Sequence, residues 1–463
     1  MDTTMSGGSI DKLNLPELSL GNFTKLVALA FQARMRKYDD KGNVRPEYDN
    51  SKEHTMERPM LAIGKPGIGK TEIMRSLLQT RFGLPKEAVV ELRLGSMQES
   101  DITGMPAVKE TGRVNEYGEK ELVTKFAELE VLPKVHKNGP YGILVLDELT
   151  TCNAAVRSVA LQLLDSSRSV GQYKLPNGWM IVALGNGPDD GADYEEIKTT
   201  IISRCAGYYV TADWRLWDNW AVSHGIHSAV IGFLRKEQGR DLYNAEGRQE
   251  YDAQVANPRT WEITSDFLFV AEAGSTNGII PDDLVDAVCC SGIGVSVGLR
   301  FANFYRFKQS LVPLDEIESG AALTKYSNDN LKEEAMYLAQ DIIARDFVRV
   351  ALECRKDIEK IGANWLSFSK TKTIADDTTP DDKAQILANI LNFVCRYGKK
   401  DLSWAQMTLE TINNVAIKEK FPLAQYLALK NTKIYAKASY YQEFLKDNKT
   451  LHMLMQRERG VAL

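Results

Sequence analysis

The chain has 463 residues, too many for one compact core, so two or three domains are expected. Hydrophobic residues make up 44% and charged ones 26%, a balance that excludes a disordered or fibrous chain. With 57 basic against 62 acidic side chains the formal net charge is −5, so no overall positive field attracts nucleic acid or anionic lipid.

The N-terminal MDTTMSGGSIDKL has no charged segment leading into an apolar run, and no stretch approaches eighteen uninterrupted apolar residues. No membrane association and a cytoplasmic location are therefore expected. The six cysteines (152, 205, 289, 290, 354 and 395) are too dispersed for a disulfide framework or paired zinc-ligand spacing, so reduced thiols are expected. Residues 1–55 read as an amphipathic helix, LGNFTKLVALAFQARMRKY, followed by a polar loop, DDKGNVRPEYDNSKEH. Pro46 and the lack of alternating carboxylates set that loop apart from a calcium-binding loop and make it a solvated linker.

RPMLAIG then reads as a short buried strand, and KTEIMRSLLQTRFG as a helix with Ile73, Leu77 and Leu78 at helical spacing. Between them Gly64, Lys65, Pro66, Gly67, Ile68, Gly69, Lys70 and Thr71 match G-x-x-x-x-G-K-[ST], the phosphate-binding loop. Glycines let backbone N–H groups turn towards phosphate oxygens at a helix N-terminus. These eight residues and Glu72 are the predicted nucleotide-binding segment, with Lys70 reaching the β and γ phosphates and Thr71 offering its hydroxyl to magnesium. ATP and Mg2+ are the cofactors that follow.

In YGILVLDELT, Ile143 to Leu146 read as a strand buried on both faces and ending in Asp147 and Glu148, where open α/β sheets bind ligands. Asp147 is predicted to hold the magnesium, and Glu148 to polarise the attacking water. A third strand, WMIVALGNGPDD, ends at Asn186, whose amide is placed to orient that water or touch the γ phosphate. Arg204, in IISRCAGYYV, falls between a helix and a β-rich stretch, where it is expected at a subunit edge against a neighbour's nucleotide. Alternating strands and helices from 56 to about 212 imply an αβα domain around a parallel sheet.

Trp214, Trp217 and Trp220 recur every three residues along one helical face, as expected for packing of the lid onto the nucleotide domain rather than for a nucleic-acid stacking platform. His224 and His227 lack partners at metal-ligand spacing, and Cys289 and Cys290 read as small buried hydrophobes. Beyond about 312, NLKEEAMYLAQDIIARDFVRVALECRKDIEKIG, DDKAQILANILNFVCRYGKK and LSWAQMTLETINNVAIKEKFPLAQYLALK have 3.6-residue periodicity, separated by the polar connector SKTKTIADDTTPDD.

The succession GKPGIGKT, ILVLDE, VALGN, IISRC resembles an AAA+ ATPase module, and the segments between resemble its MoxR branch, in the clade with a helix-2 insert. ESDITGMP resembles the region of that insert, and RSVGQYKLPNGWMIVALGN the pre-sensor hairpin. The likeness covers residues 55 to about 310. It implies an AAA+ core with a helical lid and an added helical region, divided as 1–55, 56–212, 213–311 and 312–463. Gly64 to Thr71 correspond to Walker A, Asp147 and Glu148 to Walker B, Asn186 to sensor 1 and Arg204 to the arginine finger, although Ser203 stands where an Asp or Asn is usual. ANPRTWEITSDFL resembles the sensor-2 entry, which makes Arg259 a γ-phosphate ligand from the lid, behind a proline suited to the first helical turn. GIGVSVGLRFANFYRF resembles the final lid segment.

The expected activity is ATP hydrolysis coupled to remodelling or activating a partner protein. A site shared between one copy's Walker residues and the next copy's arginine requires head-to-tail self-association, which closes into a ring, expected to be a hexamer. The family likeness further implies a partner with a von Willebrand A-type domain. A nucleic-acid motor is the alternative, opposed by the acidic balance and by the lack of a Lys/Arg run. A nucleotide-gated scaffold is a third, opposed by Glu148 and Asn186.

Overall fold

The computed structural model describes residues 15–48, 58–187, 199–243, 255–363, 377 and 379–448, apart from 115, 119, 127–129, 422, 428 and 431. The N-terminal stretch, residues 49–54 of the polar loop and most of the 369–382 connector lie outside these residues. The chain divides into two compact units, Met1–Asp213 and Trp214–Val461.

The first unit contains strands β1 (Glu17–Ser19), β2 (Met60–Ile63), β3 (Val89–Arg93), β4 (Pro106–Val114), β5 (Lys120–Phe126), β6 (Gly142–Asp147), β7 (Ser169–Val170), β8 (Tyr173–Lys174), β9 (Trp179–Gly185) and β10 (Ala206–Thr211). Six of them form one sheet in the order β1-β10-β2-β9-β6-β3. Every neighbouring pair in it is parallel. β2 and β9 are buried along their whole length and β6 up to Asp147. Continuous apolar runs such as MLAI and ILVL suit this position, because helices cover both faces of a parallel sheet.

The helix Leu20–Lys37 starts at Ser19, whose hydroxyl accepts from Asn22 N at 3.2 Å. It packs Phe31 edge-on to Phe82 of the helix Lys70–Phe82, ring centroids 5.0 Å apart. Leu61, Leu144, Leu146, Val156, Leu163 and Trp179 belong to one buried cluster of this unit. β1 was not anticipated. Its three residues have no readable period, and it exists because β10 offers a free edge. In the polar loop, Asp39 Oδ1 accepts from Lys41 N and Asn43 N at 2.9 and 2.8 Å, so this carboxylate closes its own turn.

Two antiparallel hairpins stand apart from the main sheet. β7 pairs with β8 just ahead of β9. β4 pairs with β5 after the short helix Glu99–Thr103, and every β4 residue except Ala107 is exposed.

The second unit is helical. One buried core runs from Trp217 to Leu445, through both stretches that the sequence separates near 311. Trp217 is part of it, with Trp214 and Trp220 packed against it, so these tryptophans pack into the core of their own unit, whereas the sequence reading assigned them to packing on the nucleotide domain. Trp261 meets Phe301 edge-on at 5.3 Å and donates Nε1–H to the Asp241 carbonyl. The stretch read as one long periodic segment after 330 forms two helices, Glu333–Glu353 and Arg355–Ala363, which meet at Cys354. Asp381–Tyr397 and Leu402–Lys418 follow.

Candidate functional site

Parallel pairing brings the strand ends together. Ile63 is in register with Gly185, Leu146 with Ala183 and Arg93 with Asp147. The residues that follow β2, β6 and β9 therefore line one edge of the sheet, where α/β folds bind ligands.

The loop after β2 turns through Gly67 and Gly69, at φ 77° and 89°, a left-handed region that a side chain would strain. Gly69 is the N-cap of Lys70–Phe82, and Gly83, also left-handed, ends that helix. Lys70 is buried at the first helical position. Its Nζ donates to the carbonyls of Gly64 and Lys65, the latter at 2.9 Å, and to Asn186 Oδ1 at 3.3 Å. Three oxygens converging on one ammonium occupy the coordination that phosphate oxygens would take.

Thr71 Oγ1 donates to Asp147 Oδ2 at 2.6 Å, joining the loop to the end of β6. Asp147 Oδ1 accepts from Glu148 N at 2.8 Å. A hydroxyl and a carboxylate are hard oxygen donors of the kind magnesium takes alongside phosphate and water. Such a pair is too small to count as an all-protein cage, and among the described residues no group of three or more His, Cys, Asp or Glu could hold a metal.

Glu148 is exposed at φ 59°, a conformation uncommon outside glycine and typical of functional turns. Its neighbour Thr150 is buried, and Thr150 Oγ1 accepts from Asn186 N at 2.8 Å, fixing the turn after β9 to the turn after β6. Sequence reading passed over Thr150, and over Arg93. Arg93 Nε donates to Glu91 Oε1 at 2.7 Å, and Glu91 also pairs with Arg75 of the helix Lys70–Phe82. Its guanidinium pKa is raised, first by the Glu91 hydrogen bond and charge and further by the charges of Asp147 and Glu148.

Arg204 follows the short helix Thr199–Ile202 and donates Nη1 to the Thr200 carbonyl at 2.7 Å. Burial pushes the adjacent Cys205 thiol up to about 12, which leaves it unreactive at neutral pH. Arg259 is exposed in the first turn of Pro258–Ala273, in the other unit. Asn257 caps that helix, its side chain accepting from Thr260 N at 3.1 Å while Thr260 Oγ1 accepts from Asn257 N. Of the predicted site residues, Lys70, Thr71, Asp147, Glu148 and Asn186 thus gather at one sheet edge. Arg204 has its own contact with Thr200.

Residues 59–205 match the family model for an AAA domain of the dynein-related subfamily. This segment is an AAA domain. It holds every residue of the sheet-edge cluster and occupies about a third of the chain. No curated protein sequence is significantly similar. Among solved structures, the ADP complex of Hsp104 from S. cerevisiae is 15% identical at a TM-score of 0.30, covering 66% of this chain and 46% of that one. Hsp104 in its closed state with ATPγS and casein is 16% identical at 0.26, covering 59% and 42%. NtrX from Brucella abortus is 13% identical at 0.29, covering 70% and 69%. The chain spans less than half the length of these Hsp104 chains. Among the described residues no helix is long and apolar enough to cross a membrane.

Proposed function

We propose that the chain is an ATP-hydrolysing AAA+ ring protein of MoxR type that remodels or activates a partner protein, working with a partner that carries a von Willebrand A-type domain. The contact between Thr71 Oγ1 and Asp147 Oδ2, with Lys70 Nζ drawn to the loop carbonyls and to Asn186, carries the reading. It joins the two halves of a nucleotide site at the C-terminal edge of a parallel sheet.

In this reading the N–H groups of the Gly64–Thr71 loop and the Lys70 ammonium bind the phosphates of ATP, and Thr71 with Asp147 would hold Mg2+, which supplies charge neutralisation for the transferred group. Asn186 orients the attacking water, and Glu148 accepts its proton. Lys70 exchanges carbonyl partners for phosphate oxygens without leaving its place, so little reorganisation precedes reaction. Arg204 acts on the nucleotide of a neighbouring copy, and Arg259 on the γ phosphate from the helical unit.

Glu148→Gln keeps the shape of the side chain and removes its basicity. Turnover should fall about 10²- to 10⁴-fold while ATP affinity stays within about twofold. Unchanged turnover in steady-state phosphate release would sink the assignment.

A further inference from the structure

Gly95 lies in the turn Leu94–Ser96 that follows β3, the strand that pairs with β6. A Cβ built there overlaps Glu148 Oε2, and it would also lie 3.2 Å from Thr151 Oγ1 and 3.4 Å from Glu148 Cβ. The carboxylate of Glu148 thus occupies the space that any other residue at 95 would fill. Among the described residues that carboxylate makes no hydrogen bond. Its place is set by the φ 59° turn beneath it, by the Thr151 hydroxyl donating to the Glu148 carbonyl at 3.2 Å, and by the bare backbone of Gly95.

We propose that Gly95 is a positioning residue for hydrolysis, a seat whose missing side chain holds the Glu148 carboxylate where it can take a proton from the attacking water. The proposal rests on Glu148 being the base. Gly95 has no left-handed φ, so its backbone admits alanine without strain. The overlapping atom is the far end of a flexible side chain, so the carboxylate moves while the fold stays. A displacement of about 1 Å from the reacting position costs about 10²-fold in rate. The three atoms nearest the added Cβ belong to Glu148 and Thr151, so ATP binding through Lys70, Thr71 and Asp147 should stay close to native.

The test compares Gly95→Ala, Glu148→Gln and the double variant in the full-length protein, measuring kcat, KM for ATP, direct ATP binding and thermal midpoint. For Gly95→Ala, kcat should fall at least tenfold with KM, binding and midpoint close to native. The double variant should be no slower than Glu148→Gln alone. Native or faster turnover in Gly95→Ala beside an inactive Glu148→Gln overturns the seat and leaves the base intact. Native turnover in Glu148→Gln overturns the base itself, and the seat with it. A fall in kcat accompanied by lost ATP binding or a lower midpoint overturns the seat in favour of a structural role.

Discussion

At Glu272 three groups converge on one carboxylate oxygen. Oε1 accepts from the Tyr305 hydroxyl at 2.6 Å, pairs with Lys308 Nζ at 2.6 Å and meets His227 Nε2 at 3.1 Å. His227 Nδ1 accepts from Ala229 N at 3.1 Å as the N-cap of Ser228–Lys236, which leaves the ring proton on Nε2, facing the carboxylate. Burial by itself would raise the Glu272 carboxyl, but these hydrogen bonds outweigh it and hold the pKa at about 2, below the ordinary 4.5. A depressed carboxyl stabilises the fold above its ordinary pKa, and that stability is lost as pH falls through the folded value. The helical unit should therefore weaken between about pH 4.5 and pH 2. Urea titration followed by tryptophan fluorescence should give this slope in the native chain. Glu272→Gln should flatten it while costing about 1–3 kcal/mol at neutral pH.

The β4–β5 hairpin shares no strand with the main sheet. It holds itself together through cross-strand contacts such as Lys120 with Glu110 at 2.7 Å and Thr111 with Glu121 at 2.9 Å. It nonetheless presents Val108, Leu122 and Tyr117 to solvent, Tyr117 at 80% exposure. A two-stranded ribbon wet on both faces contributes little to global stability. Replacing residues 107–125 by a short glycine linker should shift the thermal midpoint by less than about 4 °C. Basal turnover should stay within about twofold. A larger shift of the midpoint would show that the hairpin does support the fold.

For the whole molecule, the proposed ring makes a site from two copies, and closure demands a head-to-tail interface. Arg204→Ala should bind ATP normally and lose about 10³- to 10⁵-fold in turnover, as expected when a finger arginine is removed. Mixing it with Glu148→Gln protein is the sharper measurement. On the proposed roles each variant alone should be inactive, but a mixed ring would contain sites with an intact Glu148 facing an intact Arg204. Phosphate release should reappear in the mixture. If it stays absent while light scattering shows mixed assemblies, the two residues do not meet across copies.

The glycine-rich turn before Lys70 and Thr71 was legible in the sequence because its backbone requirement is local. Gly67 and Gly69 specify left-handed backbone, and Lys70 and Thr71 follow at the first turn of the helix whatever lies elsewhere. β2, β6 and β9 were legible as apolar runs, and the helices Asp381–Tyr397 and Leu402–Lys418 as 3.6-residue patterns, since each reports only which of its own faces is buried. Tertiary structure alone decided the contacts between distant residues. Lys70 reaches Asn186 across 116 positions and Thr71 reaches Asp147 across 76. The three-residue β1, the Gly95 seat and the Glu272 cluster leave no periodic trace, because each is stabilised by a neighbour that only the folded chain brings near.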